Sequence, residues 1–189
     1  DLLLAVPGRL PTVPDYRRLR AEVYFAKGDD DAAVTELTRA VTDADGPLAL
    51  EHFVTVLAKR GYHGAVLAMV GDDEASAAGL SPPAQAWVAT CHAAAAQPAA
   101  ARDAFLKAIL ASRTDPTLRA VVDRFLACKP AIRLDDLLRD APAAALSTSA
   151  VSRFVETLMA CYPMEERARH LARLLEIADI PVDFERFLK

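Results

Sequence analysis

Pro14, Pro47, Pro82 and Pro116 fall 33, 35 and 34 residues apart, and Pro181 lies 65 beyond Pro116, close to two further periods. This spacing constrains the fold more than any other feature of the chain. The local grammar recurs with it: Asp-Gly-Pro-Leu at 45–48, Ser-Pro-Pro-Ala at 81–84, Asp-Pro-Thr-Leu at 115–118. Asp or Ser as N-cap with Pro at the first helical position marks a helix start, because Pro lacks only an N–H that would be left unbonded there. Side chains keep the same period. Leu19, Phe53 and Trp87 are each 34 apart and read as one bulky apolar anchor per unit. Ala21 and Ala89, Tyr24 and His92, Leu37 and Phe105, and Ala40 and Ala108 are all 68 apart, twice that period. Leu126-Ala-Cys-Lys-Pro130 returns as Met159-Ala-Cys-Tyr-Pro163, displaced by 33.

Each unit reads as two helices. The first pair is expected at 15–27 and 31–43, with Gly28 closing its first helix, since Gly enters the left-handed region without a Cβ penalty. The pairs that follow are expected at 47–60 with 63–70, 82–96 with 98–112, 117–128 with 131–140, and 149–161 with 164–179. Residues 71–80 read as a loop or a stray turn. The whole is expected to be all-α and a single helical-repeat domain over 1–189. Its units are 14–46, 47–81, 82–115, 116–147 and 148–180, with a partial terminal helix at 181–189. Leu2-Leu-Leu-Ala-Val6 reads as the end of an earlier helix, and a start at Asp1 rather than Met reads as a fragment of a longer chain. Composition agrees: 53% of residues are apolar but only 6% aromatic, and Ala and Leu, both strong helix formers, dominate.

A helix pair repeated every 34 residues resembles the tetratricopeptide repeat family over most of the chain. In the first unit, Ala21-x2-Tyr24 is similar to the small and Tyr positions of that family's helix A, and Gly28-Asp29 to its turn. Ala33-x3-Leu37 and Ala40 are similar to the pattern of its helix B, repeated as Ala65-x3-Met69 and Ala101-x3-Phe105. Arg17 and Arg20 depart from it, standing where the family has bulky apolar residues, with Tyr16 and Leu19 expected to fill that volume. The resemblance implies a right-handed α-α superhelix of about five antiparallel helix pairs, in which stacked units bury one elongated core. It also implies a concave face, lined by the first helices of the pairs, that binds a protein or peptide. That face is expected to present Arg18, Glu22, His52, Val56 and Thr90. The contact residues are expected to be Arg17, Arg18, Glu22, His52, Lys59 and Thr90. No Asn stands among them, which separates this chain from family members that grip a terminal carboxylate with Lys and Asn.

Charge and motif narrow the function further. With 22 basic against 26 acidic residues the net charge is −4, and no basic block offers the footprint that nucleic-acid phosphates require. No apolar run is long enough to span a membrane, and no signal peptide is visible. Cys91, Cys128 and Cys161 are too widely spaced for a zinc knuckle and read as packed thiols in a reducing, cytoplasmic setting. Asp29-Asp30-Asp31 and Asp72-Asp73-Glu74 offer carboxylates to a hard cation, but lack the twelve-residue ligand spacing of a calcium loop. Acidic residues at a helix start favour its positive end, and both triplets are read that way. Cys91-His92 is read as packing, because helix neighbours point about 100° apart. Ser147-Thr148-Ser149 is read as capping. No catalytic, metal or cofactor site is expected. The function expected is therefore a non-catalytic scaffold for a protein or peptide, with self-association through exposed terminal repeats as a further expectation. A second reading, from another class, is an oligomerisation or substrate-presenting region of a larger enzyme such as a bacterial glycosyltransferase.

Overall fold

Proline and glycine punctuate the computed structural model of the chain at most helix starts and several helix ends. It describes residues 14–43, 47–70, 79–128, 131–139, 141 and 149–177. Among these the regular elements are all α-helices: α1 (Pro14–Lys27), α2 (Asp30–Asp43), α3 (Pro47–Lys59), α4 (His63–Val70), α5 (Pro82–Ala94), α6 (Pro98–Ala111), α7 (Asp115–Ala127), α8 (Leu134–Arg139), α9 (Ser149–Met159) and α10 (Met164–Ile177). Three of the expected couples recur as packed pairs, α1 with α2, α3 with α4 and α5 with α6, with ends shifted by a few residues. The helix expected from 117 opens at Asp115, because Thr114 takes the extended N-cap conformation and places Pro116 in the first turn. The helix expected from 131 opens at Leu134, since the Ala131 N–H is held in a turn by the Cys128 carbonyl at 2.8 Å. The expected segments 2–6 and 181–189 and the triplet 72–74 lie outside the described residues.

The turns follow from backbone chemistry. In the first, Gly28 has φ +76°, its N–H donates to the Phe25 carbonyl at 3.1 Å, and the Asp29 N–H donates to the Tyr24 carbonyl at 3.0 Å. This is a Schellman closure, which satisfies the last carbonyls of a helix. Asp29 then caps α2: its Oδ1 accepts the Ala32 N–H at 3.2 Å. The second turn repeats the design, with Gly61 at φ +86°, its N–H on the Ala58 carbonyl and the Tyr62 N–H on that of Leu57. The third uses the same two bonds, from Ala96 to Ala93 and from Gln97 to His92, but places an alanine in the left-handed region at φ +57°. That conformation also ends α5 at Ala94 rather than at 96.

The chain divides into two compact units, Asp1–Leu80 and Ser81–Lys189. In the first, α2 packs on α1 and α3, and α3 also packs on α4. The α1–α2 seam is built from Ala21, Phe25, Ala33, Leu37 and Ala40, and α3 buries Phe53, Val54, Leu57 and Ala58. Leu19 does not act as an anchor equivalent to Phe53. It is 56% exposed, because it lies about 200° around α1 from Ala21, whereas α3 is covered by both α2 and α4. In the second unit α5 packs on α6 and α7, and α9 packs on α6 and α7. Its core carries an edge-to-face ladder in which Phe105 meets Phe125 at 5.4 Å and Phe125 meets Phe154 at 5.5 Å. Such T-shaped pairs put a positive ring edge against a negative face. The 68-residue echoes hold in burial: Ala21 and Ala89, Leu37 and Phe105, and Ala40 and Ala108 are all core residues.

Candidate functional site

Helix α1 carries Arg18, Leu19 and Glu22 at i, i+1 and i+4, a spacing that groups them along one side of the helix. Helix α3 brings His52 opposite them, one 34-residue period beyond Arg18. Together these four side chains line an open groove of about 240 Å³ in the first unit. Its chemistry is mixed: a guanidinium, an imidazole and a carboxylate surround an exposed leucine. Glu22 is held by Arg60, whose Nη2 donates to Oε2 at 3.0 Å. Arg60 is itself placed by the Phe25 ring, 4.0 Å beneath its guanidinium carbon, a cation–π contact. Phe25 in turn meets Tyr62 with ring centroids 6.1 Å apart. The Tyr62 phenol is raised above its ordinary pKa chiefly because its hydroxyl donates to Asp30. The groove rim is thus tied to both glycine turns, and Asp29 and Asp30 serve as a cap and as a hydrogen-bond acceptor.

The six expected contact residues separate. Arg18, Glu22 and His52 converge on the groove. Arg17 turns toward α2, where its Nη1 donates to Glu36 Oε2 at 3.5 Å. Lys59 is exposed in the last turn of α3, where a cation complements the helix dipole. Thr90 belongs to the second unit; its hydroxyl donates to the Ala86 carbonyl at 2.9 Å and accepts the Cys128 S–H at 3.5 Å. One groove-lining residue and one residue that holds the groove's carboxylate escaped the sequence reading. Leu19 was assigned to the core by its period, and Arg60 is joined to Glu22 by a register only the packing reveals.

Sequence reading also missed a buried carboxylate. Glu36 is only 4% exposed, beside Leu37 in the seam. Arg17 lies 3.5 Å from its Oε2, while Arg20 and Arg39 lie 3.6 and 3.7 Å from its Oε1. This accounts for the arginines at 17 and 20. They neutralise a charge that could not be buried alone. A Glu in the middle of the Ala33-x3-Leu37 apolar pattern, with arginines at 17, 20 and 39, is the signal that could have found it.

Burial disfavours the thiolate at Cys91 and Cys128. Burial, with a smaller contribution from Cys128, pushes the Cys91 thiol up to about 12, and burial also pushes Cys128 up. A raised thiol pKa lowers the fraction of thiolate, the reactive form, at neutral pH. His92 bonds Gln97 instead, with Nδ1 2.7 Å from Oε1. Cys161 donates to the Thr157 carbonyl at 3.2 Å. Among the described residues no three His, Cys, Asp or Glu side chains are grouped to hold a metal ion, and no helix is long and apolar enough to cross a membrane. Comparison with protein-family models, curated proteins and solved structures finds no match to this chain.

Proposed function

We propose that the chain is a tetratricopeptide-like, non-catalytic scaffold that binds a protein or peptide segment across the first helices of its pairs. In this reading the five helix pairs stack as a right-handed superhelix and the Arg18–Leu19–Glu22–His52 groove lies on its concave face. The observation that carries the reading is a register. Three side-chain contacts between first helices or their ends, Glu22 with Arg60, Thr90 with Cys128, and Asp115 with Arg153, each span 38 residues. That is one period plus one helical turn, so the same offset recurs in both units. Repeated offset between successive first helices is what a stacked array of identical units requires. The Schellman turns at Gly28, Gly61 and Ala96 support it by recurring at 33 and 35 residues.

Leu19 supplies the apolar contact and Arg18 and His52 the polar ones that fix the register of a bound segment. Small-angle scattering tests the array: an elongated particle is expected, and a compact sphere would remove the superhelix. A photo-crosslinking residue at Leu19 tests the groove. It is expected to join a partner polypeptide, and Arg18→Ala and His52→Ala to weaken that partner's binding about tenfold or more, as central contacts do. Binding that neither substitution alters would move the partner off this groove. Sedimentation of the purified chain distinguishes a foreign partner from a second copy of itself.

A further inference from the structure

We propose that the arginine cluster around Glu36 is an oxyanion site whose ligand is a phosphoryl group. It lies on the α1–α2 hairpin and is independent of the groove described above. One carboxylate faces three guanidiniums, with Arg20 and Arg39 sharing Oε1 and Arg17 on Oε2. Arg20 and Arg39 by themselves outnumber it, and Arg17 adds to the same field. The N···O distances of 3.5–3.7 Å are long against the roughly 2.7–2.9 Å of a charge-assisted bond. Glu36 therefore gathers Arg20 and Arg39 at distances that leave their donors able to serve a second oxyanion.

The surroundings are those of a ligand site rather than a closed ion pair. Arg39 is 60% exposed at its side chain, leaving the cluster open to solvent on that side, while Glu36 beneath is sealed. Arg20 lies between two tyrosines, with its guanidinium carbon 6.0 Å from the Tyr16 ring centroid and 5.8 Å from that of Tyr24. Its Nη2 donates to the Tyr24 hydroxyl at 3.3 Å, so the Tyr24 O–H is left to donate onward. Planar guanidiniums with a neighbouring hydroxyl donor match the oxygens of a phosphoryl group. A phosphate ester brings close to two negative charges at neutral pH, which answers an excess of cations better than a single carboxylate does.

Thermal unfolding and calorimetric titration of the whole chain with inorganic phosphate test this, at constant ionic strength and against chloride. A saturable rise in Tm is expected, and Arg39→Gln, at an exposed position that leaves the seam intact, is expected to weaken phosphate about tenfold, the loss of one charged donor. Glu36→Gln removes the competing carboxylate and is expected to tighten phosphate several-fold even as it destabilises the fold. A purely structural hub would show the destabilisation without the tighter binding. Phosphate also stabilises proteins by exclusion from their surfaces, so an unsaturable rise shared equally by Arg39→Gln overturns the site. A phosphoserine peptide that binds at least about tenfold tighter than inorganic phosphate assigns the group to a modified polypeptide. Equal affinity assigns it to a small phosphorylated molecule.

Discussion

The two units share a period and differ in what holds them. The first adds polar and charged contacts to its apolar seam: three arginines on the buried Glu36, and Arg60 bridging Phe25 and Glu22. The second is joined by a phenylalanine ladder through Phe105, Phe125 and Phe154, with buried Leu118, Val121, Val122, Val151, Val155 and Leu158 around it. Apolar burial is non-directional and indifferent to salt. Ion pairs that are partly exposed are directional and screened. A repeat thus dictates where helices cross but leaves free the chemistry that joins them. The unit with exposed polar joints is the one that also carries the groove and the arginine cluster.

Breaking the ladder is expected to have the largest effect. Phe125→Ala removes the middle ring of both T-shaped pairs and should cost about 3–5 kcal/mol. Amide exchange should rise across α5–α7 and α9 but not across α1–α4; an equal rise in both units would show that they unfold as one.

Alkali sharpens the comparison next, because the buried thiols lie in the second unit. The folded Cys91 value of about 12 stands above its ordinary 9.0, so the folded state holds the proton more tightly. Stability from this source is fully present below pH 9 and declines as pH rises toward 12, by about 1.4 kcal/mol per unit at most. An alkaline titration followed by Trp87, the chain's single tryptophan, should show loss beginning near pH 9, and Cys91→Ala should delay it. A profile unchanged by that substitution would remove Cys91 from the cause.

Glu36→Gln comes third, with a loss of roughly 2 kcal/mol, because three guanidiniums lose their counter-charge yet remain partly solvated. Its unfolding should become less salt-sensitive than that of the parent, whereas Phe125→Ala should leave salt dependence as it was.

The turns give the smallest effects and the most direct comparison. Gly28→Ala should cost about 1–2 kcal/mol, from backbone conformation alone, since an added Cβ there meets nothing within 4 Å. Ala96→Gly, at the equivalent left-handed position of the second unit, should instead stabilise by up to about 1 kcal/mol. Denaturant midpoints decide both, and a destabilised Ala96→Gly would show that the alanine side chain matters more than its backbone strain.

Much of the local design was legible in the residues. Pro47, Pro82 and Pro98 stand at helix starts, Gly28 stands at the predicted closure, and Asp29 caps α2. These are backbone effects, decided by residues within a few positions of one another, so a linear reading reaches them. The 68-residue echoes located core positions for the same reason, since equivalent places in a repeat meet equivalent neighbours.

What the sequence determined by itself was the helical character, the period and the turns. Only tertiary packing decided that Leu19 is exposed while Phe53 is buried, that Arg17 leaves the groove for Glu36, and that Arg60 reaches Glu22 across 38 residues. The physical reason is the range of the interactions. A cap or a left-handed turn is settled by neighbours in the chain, but a side chain's burial and charge partner depend on which helix lies across from it.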